Sequence, residues 1–245
     1  MTMWLSVDPM SDKYPSISPY AYCAWNPVKL VDPDGRELVI MDGSTRYYYK
    51  NGHVYINAKC TGLTFDSRLG KEASIIKNNL DKMSKSGAGK KVINRLINSS
   101  ECYTISVDAK TGDGYYSTAN NKVYLVSGKK NNMEALSHEL FHAYQDDNGR
   151  SQRSIYNEVE AYVFCGLISG RSGGITSNTD MEYHEAGLEF ANELRGGNFD
   201  SKTFQYLIDN FKKSSSANTG GSYNDYSNNP GHYKAEDSLL KDVYK

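Results

Sequence analysis

The residues with the clearest potential for chemistry are two histidines four positions apart with a glutamate beside the first, in the pattern His138-Glu139-x-x-His142. On an α-helix, residues four apart lie one above the other on the same face, so both imidazoles can bind one metal ion. A glutamate in this position can take a proton from a zinc-bound water. The pattern predicts a zinc centre (Zn2+) with His138 and His142 as ligands and Glu139 as catalytic base. The alternative is that both histidines are solvated or packed on an ordinary helix.

The surrounding residues predict the helix that this spacing requires. Asn131 is a residue type that caps helix N-termini, and Glu134, three residues later, completes a capping box. A later Asn-Gly pair favours termination, which gives a helix over about residues 132–147. An apolar stripe at helical spacing predicts that one face of this helix is buried: Leu136, Leu140 and Ala143.

A catalytic zinc site has three protein ligands and one position for water, so a third ligand is needed. The nearest downstream candidates are Glu158 and Glu160. Two residues apart on a helix is a rotation of about 200°, so only one of these carboxylates can face the metal. We predict Glu158, because it shares a face with Ala161, whose small side chain permits close approach to the first helix. The alternative is that both are surface carboxylates.

With these residues the chain resembles the gluzincin type of zinc metallopeptidase, over about residues 105–170. The resemblance rests on the H-E-x-x-H pattern followed by a helix that carries Glu-x-x-Ala. It implies an α+β, zincin-like fold, with His138, His142 and Glu158 as zinc ligands and Glu139 as general base. The reaction it implies is metal-assisted hydrolysis of peptide bonds, in which the ion polarises the carbonyl and lowers the pKa of its water.

Sites of this type usually include a donor that stabilises the oxyanion, and several downstream side chains are candidates. We favour His232 and Tyr233 as catalytic residues, because they follow a flexible Asn-Pro-Gly turn that can fold over the cleft. The other candidates are Tyr183, His184, Tyr223 and Tyr226.

A second recognisable pattern lies in residues 4–36. It reads Trp-Leu-Ser-Val-Asp-Pro-Met-Ser-Asp-Lys-Tyr-Pro and, further on, Ala-Trp-Asn-Pro-Val-Lys-Leu-Val-Asp-Pro-Asp-Gly-Arg. This pattern resembles the closing segment of an RHS-repeat-associated core domain, in which a shell of tyrosine-rich repeats ends and a variable toxin domain follows. The resemblance implies that the chain is the tail of a longer polypeptide, cut near residues 35–38, and that Asp32 and Asp34 match the family's motif. The alternative is an irregular, strand-containing arm packed on the following domain.

Composition and charge exclude several classes of protein. The chain has 245 residues, 38% of them hydrophobic, which is typical of a polar globular protein with one sizeable core. A net charge of −1 with dispersed Lys and Arg gives no electrostatic footprint for nucleic acid. We expect no membrane span and no signal peptide, because no apolar run reaches about 18 residues and the first residues lack a basic-then-apolar order. Four widely spaced cysteines favour free thiols over a disulfide framework or a cysteine zinc site.

Along the chain, we predict three regions. They are an RHS-like segment with an irregular or β-structured arm (1–37), a zincin-like toxin domain (38–213), and a Ser/Gly/Asn-rich linker and tail that can close over the site (214–245).

Within the toxin domain, alternation predicts a β-hairpin at 38–56, turning at Asn51-Gly52. Strands are predicted at 102–107 and 122–126, directly before the motif helix, where zincins place an edge strand that can hold an extended peptide. Helices are predicted at 65–84, 90–98, 181–194, 201–211 and, as a short closing helix, 235–244.

These patterns together predict an α+β zinc metallopeptidase carried as the C-terminal effector of an RHS-type bacterial polymorphic toxin. Its expected partners are a protein substrate, the upstream RHS shell and a cognate immunity protein, and it is expected to be secreted or delivered into a target cell. One alternative keeps the zinc but acts on another amide, as an amidase or deamidase. Another is a non-catalytic binding or structural tail with a degenerate or structural metal site. A nuclease toxin is the third, and the lack of a basic patch argues against it.

Overall fold

The computed structural model describes residues 37–109, 114–126, 132–151, 154–169, 181–211 and 234–244. The chain divides into two units, Met1–Gly35 and Arg36–Lys245, and all described residues belong to the second. The predictions for the RHS-like segment, and those for His232 and Tyr233, therefore lie outside the described residues. So do the predicted N-cap Asn131 and the oxyanion candidates Tyr223 and Tyr226.

The described part of the chain contains one open, mixed, six-stranded sheet in the order β3-β2-β1-β4-β6-β5. Strand β1 pairs antiparallel with β2 and parallel with β4, β6 is parallel to β4, and β5 is antiparallel to β6. Together with the α-helices, this sheet confirms the predicted α+β fold class. The strands are β1 (Glu37–Asp42), β2 (Thr45–Lys50), β3 (His53–Tyr55), β4 (Cys102–Ala109), β5 (Tyr115–Ser117) and β6 (Lys122–Val126).

The first three strands form a meander with two tight turns. The predicted turn at Asn51-Gly52 is confirmed: Lys50 pairs with His53, and both turn residues have positive φ (52° and 81°). Asn and Gly adopt this left-handed backbone most easily, which is why the pair favours a two-residue hairpin. The prediction of a single hairpin over 38–56 is wrong, because a second turn at Gly43 (φ 58°) divides that segment into β1 and β2.

The edge of the sheet nearest the motif helix is formed by β5, which was not predicted. The two strands predicted before that helix are confirmed as β4 and β6. However, β6 is not an edge strand, because Tyr115–Ser117 pairs antiparallel along Lys122, Val123 and Tyr124. The stacked rings of Tyr115 and Tyr124, 4.5 Å apart, lie on this pairing.

Seven α-helices accompany the sheet in the described residues, and three of them match the predicted bounds to within one residue. The helix over Asn132–Asp147 is as predicted, whereas the first helix begins at Lys71 rather than near residue 65. The preceding Asp66–Arg68 forms a separate 3-10 turn, and the Asp42 carboxylate accepts the N–H of Gly70 (3.0 Å) at the helix start. The helices are α1 (Lys71–Met83), α2 (Gly87–Ile97), α3 (Asn132–Asp147), α4 (Ile155–Ser169), α5 (Met181–Arg195), α6 (Ser201–Phe211) and α7 (Leu240–Tyr244).

The helices form two layers on the sheet. Helices α1, α2 and α3 pack against strands of the sheet, and α4 packs on α3 and in turn contacts α5 and α6. Most residues of α4 are buried, including both carboxylates in its first two turns. Because α4 is covered on nearly all sides, its polar residues must find partners inside the protein.

The C-terminal end of α3 is anchored to the sheet by two aspartates. Asp147 pairs with Arg95 of α2 and accepts a hydrogen bond from the hydroxyl of Tyr103 on β4 (3.2 Å). Asp146 accepts one from the hydroxyl of Tyr116 on β5 (2.6 Å). These bonds fix the helix that carries both histidines relative to the sheet.

The predicted closing helix 235–244 is interrupted. A 3-10 turn at Ala235–Asp237 is followed by α7, and Ser238 and Leu239 between them make contacts described below. Within the described residues, no helix combines the length and apolar character that crossing a membrane requires. The described cysteines, Cys60, Cys102 and Cys165, are free thiols.

Candidate metal centre

Helix α3 presents His138 and His142 side by side at its surface facing α4. Their Nε2 atoms are 3.1 Å apart, as expected for residues one helical turn apart on one face. On the opposite side, the predicted apolar stripe Leu136, Leu140 and Ala143 is completely buried, which confirms that this helix packs firmly on the rest of the protein.

Helix α4 brings Glu158 to both histidines. Its Oε2 lies 3.3 Å from Nε2 of His138, and its Oε1 lies 3.3 Å from Nε2 of His142. The potential ligand atoms of the three residues all lie within 4.8 Å of one another. The group could therefore hold one metal ion, and Glu158, only 6% exposed, is the carboxylate that the structure places beside the histidines.

Glu160 points away from the histidines, as the rotation along the helix predicts, but it does not reach the surface. It is completely buried and forms an ion pair with Arg150 (3.3 Å). Its Oε1 also accepts hydrogen bonds from the hydroxyl of Ser238 (2.7 Å) and the backbone N–H of Leu239 (2.9 Å). Burial raises the pKa of Glu160, against the effect of Arg150 and the other donors, which favour the charged form.

Gln145 links this second carboxylate to the histidine pair and was not singled out by the sequence analysis. Its side-chain amide lies 2.8 Å from Nδ1 of His142 and 2.9 Å from Oε2 of Glu160. It is also 2.9 Å from the backbone carbonyl of Asn157. The only sequence signal is its position three residues after His142, on the adjacent turn of the same helical face.

His138 is held by a different kind of contact. Its ring packs against that of Tyr162, with centroids 4.4 Å apart, and Tyr162 lies one turn beyond Glu158 on α4. Its Nδ1 is buried and has no hydrogen-bond partner among the described residues. Away from Glu158, ring packing therefore orients His138, whereas a hydrogen bond to Gln145 orients His142.

His142 and Glu158 form a charge pair in the absence of metal. Burial favours the neutral imidazole, but the Glu158 carboxylate and, more weakly, that of Glu139 outweigh it and raise the pKa of His142 to about 9. Burial also favours neutral Glu158, but the charge of His142 and hydrogen bonds from both histidines hold the pKa of this carboxyl far below its ordinary value. A cation bound here would take the place of the proton on His142.

The other predicted site residues are the general base and the candidate oxyanion donors. Glu139 is partly exposed, and its charge acts on His142, so it lies close to the group. Tyr183 and His184 lie in the first turn of α5, and their side chains are not described. The structure therefore identifies no oxyanion donor among the described residues.

The donor set fits a zinc ion on chemical grounds. Two imidazole nitrogens and one carboxylate, supplied by two rigid helices, are a set found in catalytic zinc sites, which leave a position for water. The hydrogen bond between Gln145 and His142 is the kind of outer contact that orients metal-binding imidazoles. Comparisons of the chain with protein-family models, with curated proteins and with solved structures give no match.

Proposed function

We propose that this chain carries a zinc-dependent metallopeptidase with a zincin-like fold. His138, His142 and Glu158 bind the metal in this proposal, and Glu139 is the general base. The observation that carries it is the convergence of the three ligand groups, within 4.8 Å, in the H-E-x-x-H helix and the helix that follows. Hydrolysis of peptide bonds is the reaction for which this arrangement is best suited.

Each residue has a defined role. When bound, zinc supplies a Lewis acid that polarises the scissile carbonyl and lowers the pKa of its water. His138 and His142 would contribute neutral nitrogen donors, and Glu158 would contribute one negative charge that offsets part of the charge of the ion. Glu139 lies on the same helix as the histidines and is partly exposed to solvent. It takes a proton from the attacking water and passes it to the leaving amine.

The biological setting in this proposal comes from residues 4–36, which resemble the closing segment of an RHS core. The metallopeptidase then acts as the C-terminal effector of an RHS-type toxin. Its substrate is a protein in the target cell, and an immunity protein protects the producer.

The test compares Glu139→Gln with the wild-type protein and with Glu189→Gln, a matched control at an exposed position of α5. Glu139→Gln keeps its zinc but loses cleavage of an unfolded protein substrate by about 100-fold or more, because general base catalysis contributes about that much. Glu189→Gln behaves as the wild type. Cleavage that survives in Glu139→Gln would remove Glu139 from the mechanism.

The same preparations separate the proposal from its alternatives. Wild-type protein that holds zinc and hydrolyses small amides, but cuts no protein, would indicate an amidase or deamidase. A closed site with four protein ligands would indicate a structural metal instead. His184→Ala and His232→Ala test for a fourth ligand, and both variants keep their zinc if the fourth position belongs to water.

A further inference from the structure

We propose that Gln145 and Glu160 are positioning residues for the metal centre. They form a buried relay, from Glu160 through Gln145 to His142, that directs the Nε2 lone pair of His142 toward the metal. The inference rests on the proposed metal-binding function, but its test includes a measurement on the metal-free protein.

The orientation of the Gln145 side chain follows from its partners. Its nitrogen faces two groups that accept hydrogen bonds, the backbone carbonyl of Asn157 and Oε2 of Glu160, each at 2.9 Å. Both protons of the amide nitrogen are used there, so the amide oxygen is the atom that faces Nδ1 of His142 at 2.8 Å. The reverse orientation would bring this oxygen against two acceptors at once.

The orientation of Gln145 decides which nitrogen of His142 keeps its proton when a metal ion takes the place of the other one. An amide oxygen only accepts hydrogen bonds, so Nδ1 of His142 must be the donor. A neutral imidazole has one ring proton, so Nε2 then presents a lone pair. Nε2 is the atom that faces His138 (3.1 Å) and Glu158 (3.3 Å), which is the geometry that metal binding needs.

Glu160 is fixed by groups on the side away from the metal centre. Ser238 and the backbone of Leu239 donate to its Oε1, and Arg150 pairs with it. Arg150 also donates to the carbonyl of Asp237, so the same guanidinium holds both the carboxylate and the C-terminal segment. Glu160 therefore cannot turn away from Gln145, and the last described segment of the chain supports the ligand His142 through two intervening side chains.

The first arm of the test is the zinc affinity of the Gln145→Met variant, measured by competition with a chelator. Methionine has nearly the same length but accepts no comparable hydrogen bond, and loss of such outer contacts typically weakens metal binding by about 10- to 100-fold. The control is Tyr103→Phe, which removes a hydrogen bond to Asp147 on the same helix but has no link to the relay. We expect the control to bind zinc as the wild type does. Wild-type affinity in Gln145→Met would overturn the proposal.

The second arm is the ring-proton signal of His142 in metal-free protein labelled with 15N-histidine, assigned with His142→Ala. The wild type and Tyr103→Phe show a proton on Nδ1 that exchanges slowly with water, and Gln145→Met loses this protection. An Nδ1 proton of wild-type His142 that exchanges as fast as that of Gln145→Met would overturn the relay. If the wild type takes up no zinc at all, the proposed function fails, while this signal still decides whether the relay exists.

Discussion

Protonation of His142 provides a quantitative test of the charge pair with Glu158. The pKa of His142 is raised to about 9 in the metal-free protein, whereas the ordinary value for histidine is about 6.5. Zinc binds only the neutral imidazole, so the proton and the metal compete for this side chain. The apparent affinity for zinc must therefore rise with pH until His142 has lost its proton.

The size of the effect follows from the two pKa values. With a pKa of about 9, the neutral fraction of His142 increases about 30-fold between pH 6.5 and pH 8. A histidine with the ordinary value would change only about twofold over the same range. The contribution of His142 alone thus predicts a zinc dissociation constant about 30-fold smaller at pH 8 than at pH 6.5.

The folding stability of the metal-free protein depends on the same proton. Because the pKa of His142 is higher in the folded state, its stabilising contribution is complete below about pH 6.5 and is lost as the pH rises through about 9. A shift of this size corresponds to roughly 3 kcal/mol. The pKa of Glu158 is lowered in the folded state, so the dependence on pH has the opposite sign. The contribution of Glu158 to stability is lost as the pH falls below the ordinary value of 4.5.

Two assays check these numbers. NMR follows the ring of His142 in the metal-free protein, and we expect a titration midpoint near 9. Chelator competition between pH 6.5 and 8 then measures the predicted change of about 30-fold in zinc affinity. A midpoint at or below about 6.5, together with a zinc affinity that barely changes with pH, would refute the reasoning.

Further predictions concern the two glutamates of α4 and the core beneath the histidines. Glu158→Ala loses the metal, measured by mass spectrometry, and keeps the fold; a variant that still binds stoichiometric zinc would exclude Glu158 as a ligand. Glu160→Ala leaves Arg150 buried without its carboxylate, so denaturant unfolding should show a loss of about 3–5 kcal/mol. An unchanged stability would mean that this ion pair is not formed. Leu140→Ala opens a cavity under the motif and costs about 2–5 kcal/mol by the same assay, and a loss below about 1 kcal/mol would contradict its complete burial.

The sequence was informative where local signals determine the structure. The motif helix has its predicted bounds because an apolar stripe, an acidic first turn and a following Gly all lie within one segment. Helical rotation showed that only one of Glu158 and Glu160 can face the histidines, and the small Ala161 on the same face favoured Glu158, which the structure places beside them. The helical period was sufficient because the bounds of α3 and the choice of carboxylate on α4 each concern residues within one helix.

The sequence was uninformative where the partners are distant in the chain. Glu160 is held by Ser238 and Leu239, which lie 78 and 79 residues away, so no local pattern shows that it is buried and bound. Gln145 has an ordinary residue type for a helix surface, and only the approach of α4 makes it part of the site. Strand β5 has three residues, too few for a clear alternation, and forms only by pairing with β6.

The measurement that tests the central claim most directly is the zinc content of the purified chain, determined by native mass spectrometry. His138→Ala removes one proposed ligand, and His53→Ala is the matched control, because His53 is exposed and pairs with Asp66 instead. We predict one zinc per chain in the wild type and in His53→Ala, and none in His138→Ala. A wild-type chain that takes up no zinc from excess, or a His138→Ala variant that keeps it, would contradict a metal centre at His138, His142 and Glu158.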